Sequence, residues 1–385
     1  MPLISVVIPT RNRLPYLRDC MQSALDNRSP DIEIIVADNA TDDGTREYLA
    51  LLGDAIRVTR SETVLSMSDN WQRGLDIVRG QWVIFVGDDD CLMPDFAKLA
   101  PMAIAMYGPR TDLIYWDTPI YRWPTSINES ERNFLAFTVR SGPQMVSSKE
   151  TLRLMYEDIQ NIMAPPGLYH GLSRTSLIQK AKDLWGEFRL GRVPDLGSGL
   201  VYLVLTDNFV RLQRPLSVMA FGSKSTGMAH KNAKPDYGPR LEFEQLSKLG
   251  ELAQKYPLVD IDNPNIHQWR LLLDWADYFR PKGIDLQLNS VKMLQYCVAR
   301  LNAIPKDERE DAAEKIRQFC VNNGVAPDNA KTLVEHGLSL PYGLRPDHSV
   351  KNEDGVSVYK AGINLTLTPI RTATAAAGLI AGYYS

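Results

Sequence analysis

Short apolar runs alternate with amphipathic stretches along the first hundred residues. Ile4–Ile8 (ISVVI), Ile32–Ala37 (IEIIVA), Ile56–Thr59 and Trp82–Val86 (WVIFV) are nearly continuous in apolar character. That pattern predicts strands buried on both faces. Between them the spacing turns helical. Pro15–Leu25 sets Leu17, Cys20, Met21 and Ala24 on one face, and Gly44–Leu52 and Ser68–Val78 repeat the pattern. Ser68 or Asp69 is placed to cap the last of these, and Pro94 to open a further helix. Doubly buried strands separated by helices predict an α/β domain with a mostly parallel, Rossmann-like sheet flanked by helices.

The pattern changes after Gly108. Leu113–Trp123 reads as an extended, aromatic-rich strand region and Phe209–Met219 as another strand, with helices at Glu150–Asp158 and Gly199–Leu205. From Leu241 onward the signals are helical: Ile266–Phe279, Ser290–Ala303, Glu308–Val321 and Ala330–His336, with Gly324 as a helix stop. The expected organisation is 1–112 and 113–235 as two halves of one α/β domain, a helical domain over 236–340, and a tail over 341–385.

Composition narrows the function. A formal charge of −3 over 385 residues gives no global basic field, so nucleic acid is not an expected partner. Cys20, Cys91, Cys297 and Cys320 fit neither a disulfide framework nor a zinc site, and read as reduced thiols. Met1–Thr10 lacks the charged-then-apolar pattern of a secretory signal. No apolar run reaches the ~18 residues of a membrane helix. The expected location is cytoplasmic, with peripheral contact at the inner membrane face. The last segment, Thr368–Tyr384, is the candidate surface for a membrane or a second copy, although its polar face lacks lysines.

Ligands of open α/β sheets bind beyond the carboxyl ends of the strands. Three polar clusters fall there: Pro9-Thr10-Arg11-Asn12-Arg13, Asp38-Asn39, and Asp88-Asp89-Asp90. Three adjacent carboxylates repel one another. A hard divalent cation, Mg²⁺ or Mn²⁺, relieves that cost and can bridge a diphosphate. The competing reading is an acidic turn or a cap for the helix at Pro94. Asp38, after the second strand, stands where a ribose or base is commonly met. Thr41 or Asp42 serves equally as a helix cap. Arg11 or Arg13 suits phosphate.

Taken together, these segments resemble the N-terminal half of family 2 glycosyltransferases of the GT-A fold. The resemblance rests on a strand ending in Pro9-Thr10-x-Asn12, a strand ending in Asp38 with Asp43-Gly44-Thr45 downstream, and an apolar strand ending in the aspartate cluster. Ser68-Asp69-Asn70-Trp71 and Gly74-Leu75 match the segment before the metal strand. The resemblance covers 3–98, weakens to 227 and stops. It implies a nucleoside-diphosphate sugar donor met by Pro9, Thr10, Arg11, Asn12, Asp38, Asn39, Asp69 and Asp88. It also implies a Mn²⁺ or Mg²⁺ ion held among Asp88, Asp89 and Asp90, and a glycan or lipid-linked acceptor. One departure stands out. The usual Asp-x-Asp motif would begin at Gly87, so Asp89 takes the place of the metal-binding aspartate. Asp88 then lies nearer ribose or metal, and Asp90 caps the helix or holds a metal water. The catalytic base in the resembled family is an acidic residue at a helix start about a hundred residues further on. Asp195 fits, with Glu187 and Asp183 as competitors and helix capping as the plain alternative. Gly222–Gly227, with Lys224 and His230, resembles a closing loop near the donor. His170 is a candidate for the acceptor pocket. Direct displacement would invert the anomeric centre. Two other readings remain: a sugar nucleotidyltransferase, whose glycine-rich loop Pro9–Arg13 lacks, and a non-catalytic sugar-nucleotide or glycan-binding assembly protein, against which the full triplet argues. No G-x-G-x-x-G follows the first strand, which counts against a dinucleotide dehydrogenase.

Overall fold

The three longest apolar runs pair side by side. In the computed structural model they are β1 (Ile4–Thr10), β2 (Ile32–Asn39) and β4 (Trp82–Phe85), joined by β3 (Arg57–Ser61) at the edge. All pairs among them are parallel. Ile4 lies opposite both Ile32 and Trp82, and Thr10 lies opposite Asp38, so the polar ends of the strands share one edge. Helices α1 (Leu14–Asp26), α2 (Thr45–Leu52) and α3 (Met67–Leu75) form the crossovers. Leu17, Met21 and Ala24 of α1 close over Val6, Ile8, Ile34 and Val36, all buried. Two local expectations shift. Ser66, not Ser68 or Asp69, caps α3 by accepting the Asp69 N–H. After β4 the chain forms a two-residue strand, β5 (Cys91–Leu92), before α4 (Phe96–Tyr107), so Pro94 precedes the helix rather than opening it.

The structure describes residues 1–158, 165–225, 238–257, 264–289, 292–293, 309–322, 327–339, 358–366 and 368–384. The chain divides into two compact units. The first comprises Met1–Thr151, Met163–Ser247 and Lys351–Ser385, the second Leu152–Ile162 and Lys248–Val350.

The first unit also contains β6 (Leu113–Trp116), β7 (Ile120–Arg122), β8 (Phe134–Arg140), β9 (Gln144–Ser147), α5 (Ser148–Tyr156, running into the second unit), β10 (Gly171–Arg174), α6 (Ser176–Trp185), α7 (Pro194–Leu205), β11 (Asn208–Leu212), β12 (Ser217–Phe221) and β13 (Val358–Asn364). Among the described residues the main sheet runs β3-β2-β1-β4-β10-β6-β11-β9, and a second runs β13-β8-β7-β12-β5. The main sheet is mixed, because β10 pairs antiparallel with both β4 and β6. The expected strands Leu113–Trp123 and Phe209–Met219 each split in two, and their halves enter different sheets. Pro119 and Pro215 stand in the breaks, where a missing N–H would otherwise interrupt a ladder.

The second sheet packs on its own core. Tyr121, Trp123, Leu135, Phe137 and Val218 meet Ala373, Ala376, Ala377 and Ile380 of the terminal helix Ala373–Tyr383. Thr372 caps that helix through the Ala375 N–H, and the Asp19 carboxylate accepts the Thr374 N–H at 3.0 Å. The apolar face of this segment, read from sequence as a surface for a membrane or a second copy, is covered by the chain's own α1, β5 and β12. Small alanine side chains allow that close approach. Among the described residues no helix is long and apolar enough to cross a membrane.

In the second unit, helices Leu249–Lys255 and Pro264–Phe279 pack together, as do Arg309–Asn322 and Pro327–Ser339. Leu252, Trp269, Leu272 and Phe279 are buried, and the Tyr156 hydroxyl donates to the Leu272 carbonyl at 3.0 Å. The expected helix Ser290–Ala303 and the stop at Gly324 lie outside the described residues, apart from Lys292 and Met293.

Candidate functional site

The shared strand edge gathers the first loop and the aspartate triplet. The Thr10 hydroxyl donates to Asp88 Oδ2 at 2.7 Å, and Arg13 Nη1 donates to Asp88 Oδ1 at 2.9 Å. The same nitrogen lies 3.6 Å from Asp89 Oδ1. Burial disfavours the Arg13 charge, but Asp88 and Asp89 more than offset it, so the guanidinium stays a cation. Asn12 adopts φ +51°, a left-handed conformation that asparagine tolerates. Its Oδ1 accepts the Asp42 N–H at 3.0 Å. Its carbonyl accepts from Lys224 Nζ at 3.0 Å, while Arg13 donates back to the Lys224 carbonyl. The Gly222–Ser225 turn is thereby latched to the end of β1.

The three aspartates differ sharply in surroundings although Asp88, Asp89 and Asp90 are only 2%, 5% and 0% exposed. Asp90 is engaged from all sides. Its Oδ1 accepts the Ala220 N–H at 2.6 Å. Its Oδ2 accepts from Gly87 N–H at 2.8 Å and the Tyr169 hydroxyl at 2.6 Å, and lies 3.0 Å from His170 Nε2. Burial raises its pKa, but His170 and these donors outweigh burial and leave it below the usual carboxylate value. Asp90 was expected among the metal ligands; its oxygens are instead taken up in holding β12, Tyr169 and His170 to the loop after β4. Asp89 is the opposite case. Its Oδ2 is buried without a hydrogen-bond partner. Burial, with Asp90 and Asp88 adding, pushes its carboxyl up to about 7 against the pull of Arg13. A Cβ on Gly87 would come within 2.7 Å of Asp90 Oδ2 and 3.2 Å of the Tyr169 hydroxyl, so the side chain missing there leaves room for this network.

The remaining expected residues occupy varied positions. Asp38 is buried at the end of β2, paired with Arg60 and accepting the Thr41 N–H at 3.1 Å. The Asn39 amide clasps Leu65, taking its N–H at 2.8 Å and giving to its carbonyl at 2.9 Å. Pro9 is half-buried beside Thr10 in β1. Arg11 turns to Glu242 at 2.9 Å. Asp69 is exposed in the first turn of α3, bonded to Ser66. His170, expected along an acceptor pocket, is 1% exposed, and its Nδ1 meets the Ser217 hydroxyl at 2.7 Å, so it braces Asp90 from behind. Lys224 is exposed at the latch, and His230 lies outside the described residues.

Asp195 follows Pro194 at the start of α7, half-buried, with Oδ1 accepting the Leu196 N–H at 2.9 Å. Burial raises its carboxyl above the ordinary range, and the Leu196 N–H, with a smaller pull from His170, brings it back only in part. A helix start favours the carboxylate. A Cβ on Gly199 would lie 2.5 Å from Pro165, so glycine lets α7 settle against the 165–169 segment. Glu187 and Asp183 are both exposed, Asp183 bonded to Gln179 along α6.

Two residues were not carried forward by sequence reasoning. The sequence offers Arg13 only as an alternative to Arg11, and gives no sign of Tyr169. Its ring lies 4.2 Å from His170 and 5.9 Å from Trp71, and its hydroxyl is kept protonated by burial and by the charges of Asp90, Asp89 and Asp195. Its hydroxyl thus ties the chain before β10 to the aspartate loop. No local pattern marks a single tyrosine for such a place.

Among the described residues, no three His, Cys, Asp or Glu side chains are grouped as a metal cage. A Mg²⁺-type site that also binds phosphate needs only one or two carboxylates, with water and phosphate oxygens completing the shell. The partnerless Asp89 Oδ2 beside Asp88 fits that requirement, and Asp90 does not.

The sequence profile described as Glycosyl transferase family 2 matches residues 5–180. The PGL/p-HBAD biosynthesis glycosyltransferase of Mycobacterium bovis is 30% identical over 132 residues, which is 32% of this chain and 50% of that protein. The putative teichuronic acid biosynthesis glycosyltransferase TuaG of Bacillus subtilis is 32% identical over 92 residues, 23% of this chain and 36% of that protein. The chain thus spans about half the length, or less, of these curated relatives. S. aureus TarS, solved with UDP-GlcNAc, is 16% identical, covering 87% of this chain and 91% of that one at a TM-score of 0.48, too loose a likeness to bear on the site. The profile match spans β1 to α6, and the mixed sheet flanked by helices is the expected GT-A-like architecture.

Proposed function

Residues 5–180 match the Glycosyl transferase family 2 profile, and we propose that the chain is a member of that family which moves a sugar from a nucleoside-diphosphate sugar to an acceptor hydroxyl. The observation that carries this reading is the buried pair Asp88 and Asp89, with Asp89 Oδ2 unpartnered, facing Arg13 at the ends of parallel strands. Sheets of this kind bind nucleotides there. Asp89, with Asp88 beside it, would hold Mn²⁺ or Mg²⁺. That ion supplies charge neutralisation to a departing diphosphate.

The rest falls to the chain's own groups. Arg13 offers a planar fork to phosphate, and Lys224 a point charge at the same turn. Asp38 and Asn39 hold the end of β2 and the Leu65 segment, forming the wall a nucleoside would meet. Asp90, Tyr169 and His170 keep the loop in place. Asp195 accepts the proton from the acceptor hydroxyl. The acceptor oxygen then forms its bond to the anomeric carbon as the bond to diphosphate oxygen breaks, and the diphosphate leaves with the electron pair. Attack opposite the leaving group inverts the centre. A base with a raised pKa is better matched to neutral pH than an ordinary aspartate. Relatives named for biosynthesis of PGL/p-HBAD and of teichuronic acid support a glycan or lipid-linked acceptor in such an assembly.

The test is turnover. UDP-, GDP-, dTDP- and CDP-sugars are incubated with the protein in Mn²⁺ or EDTA, and release of nucleoside diphosphate is measured. One base should support Mn²⁺-dependent release that Asp89→Ala abolishes. Equal release in EDTA would remove the metal from the reading, and no release from any donor would remove the transfer.

A further inference from the structure

Arg13 stands where a cation would have to act. Its Nη1 is 2.9 Å from Asp88 Oδ1 and 3.6 Å from Asp89 Oδ1. Asp90 draws its compensation from other donors: the N–H groups of Gly87 and Ala220, the Tyr169 hydroxyl and the His170 ring. Among the described residues, Arg13 is therefore the positive group that sits against both Asp88 and Asp89. The pair is buried, so water screens these charges little. Thr10 adds only a neutral donor to Asp88. A divalent ion held by Asp88 and Asp89 would draw on the same two carboxylates that Arg13 neutralises, and like charges in a buried setting repel strongly.

Arg13 is also tied to a second element. It donates to the Lys224 carbonyl, and Lys224 Nζ returns a bond to the Asn12 carbonyl at 3.0 Å. Releasing the carboxylates leaves the guanidinium anchored at this turn rather than loose in solvent. A planar fork anchored there matches phosphate better than a lone ammonium does.

Resting on the reading of Asp89 as a cation ligand, we infer that Arg13 and the divalent ion compete for Asp88 and Asp89, so that the ion binds by releasing the guanidinium, which then pairs with diphosphate. Arg13 is on this view a positioning residue with two alternate partners. It guards the acidic pair against unproductive metal binding and couples metal entry to donor capture.

The test uses the full chain and Mn²⁺ alone, titrated calorimetrically into wild type, Arg13→Gln, Thr10→Val and Asp89→Ala. Competition between buried charges predicts Mn²⁺ binding about tenfold or more tighter in Arg13→Gln. Thr10→Val, which removes a neutral partner, should shift it by less than about threefold. Inorganic pyrophosphate in saturating Mn²⁺ should move the other way, binding at least about tenfold more weakly to Arg13→Gln. Should Arg13→Gln fail to fold, Arg13→Lys keeps the charge on a shorter reach and should bind Mn²⁺ about threefold tighter than wild type. Unchanged or weaker Mn²⁺ binding in the folded Arg13 variant, with Asp89→Ala still inactive for Mn²⁺, overturns the competition and leaves the metal site standing. Absence of Mn²⁺ binding in wild type and Arg13→Gln alike overturns both, while the turnover assay continues to report on transfer separately.

Discussion

Replacing Asp90 with asparagine is the sharpest probe of the loop that carries Asp88 and Asp89. The aspartate accepts from Ala220 N–H at 2.6 Å on one oxygen, and from Gly87 N–H at 2.8 Å and the Tyr169 hydroxyl at 2.6 Å on the other, with His170 Nε2 at 3.0 Å. Asparagine has one acceptor oxygen. In its better orientation that oxygen serves Gly87, Tyr169 and His170, and the NH₂ group then faces the Ala220 N–H. Two buried donors meet with no acceptor between them, at a position 0% exposed. An unsatisfied buried group costs ~1–3 kcal/mol, and each retained bond loses ~1 kcal/mol when its acceptor is no longer charged. Relief of the charge's own desolvation offsets part of this, leaving a net loss of about 3 kcal/mol. Against a total of ~5–15 kcal/mol that is a large share. At ~2–4 °C per kcal/mol for a unit of this size, Tm should fall by about 6–12 °C. Circular dichroism melting at pH 7.5 in EDTA reads it. A shift under ~2 °C would refute the assignment of Asp90 to the scaffold, because no alternative set of partners could then cost so little.

Four further outcomes follow from the same geometry. Asp195→Asn should lower kcat by about 10²–10⁴-fold with donor binding unchanged, as steady-state kinetics and calorimetry can show together. Since burial raises that carboxyl, the wild-type rate should decline on acidification at a pH above the usual aspartate range. Asp89 is pushed up to about 7 from 3.8, so between these values the folded chain holds a proton that the unfolded chain has lost. Without metal, its contribution to stability should therefore fall as pH rises from about 4 to 7, and Asp89→Asn should flatten that part of the Tm–pH curve. Gly87→Ala places a Cβ 2.7 Å from Asp90 Oδ2 and should cost ~1–3 kcal/mol by urea unfolding; a neutral substitution would show the loop is free to yield.

Much of the fold of the first hundred residues is legible in the sequence because its causes are local. ISVVI, IEIIVA and WVIF are apolar on both faces, and only a covered parallel sheet hides both. The helices between them announce themselves by spacing. The elements that escape notice depend on distant partners. Cys91–Leu92 is a strand only because β12 pairs with it, and β8 is completed by β13 from the far end of the chain. The terminal helix is equally opaque: Ala373, Ala376 and Ala377 promise no strong apolar face, yet they fit where bulkier side chains would not. The same divide runs through the site. The triplet is visible as a cluster of charge, but three identical residues carry no local sign of their separate roles. What distinguishes Asp90 is contact with Tyr169, His170 and Ala220, which lie 79, 80 and 130 residues away. The place of Asp195 at a helix start is legible, because a proline followed by an acidic residue is itself a local pattern.

The central claim is that a nucleoside diphosphate binds at Asp88 and Asp89 with a divalent ion. Calorimetric titration of UDP, GDP, dTDP and CDP into the full chain, with Mn²⁺ and with EDTA, in wild type and Asp89→Ala, tests it most directly. One nucleotide should bind in Mn²⁺, bind far more weakly in EDTA, and fail to bind the variant in either. Binding that is indifferent to metal and to Asp89, or no binding by any of the four, would contradict it and leave the triplet an acidic turn at the end of β4.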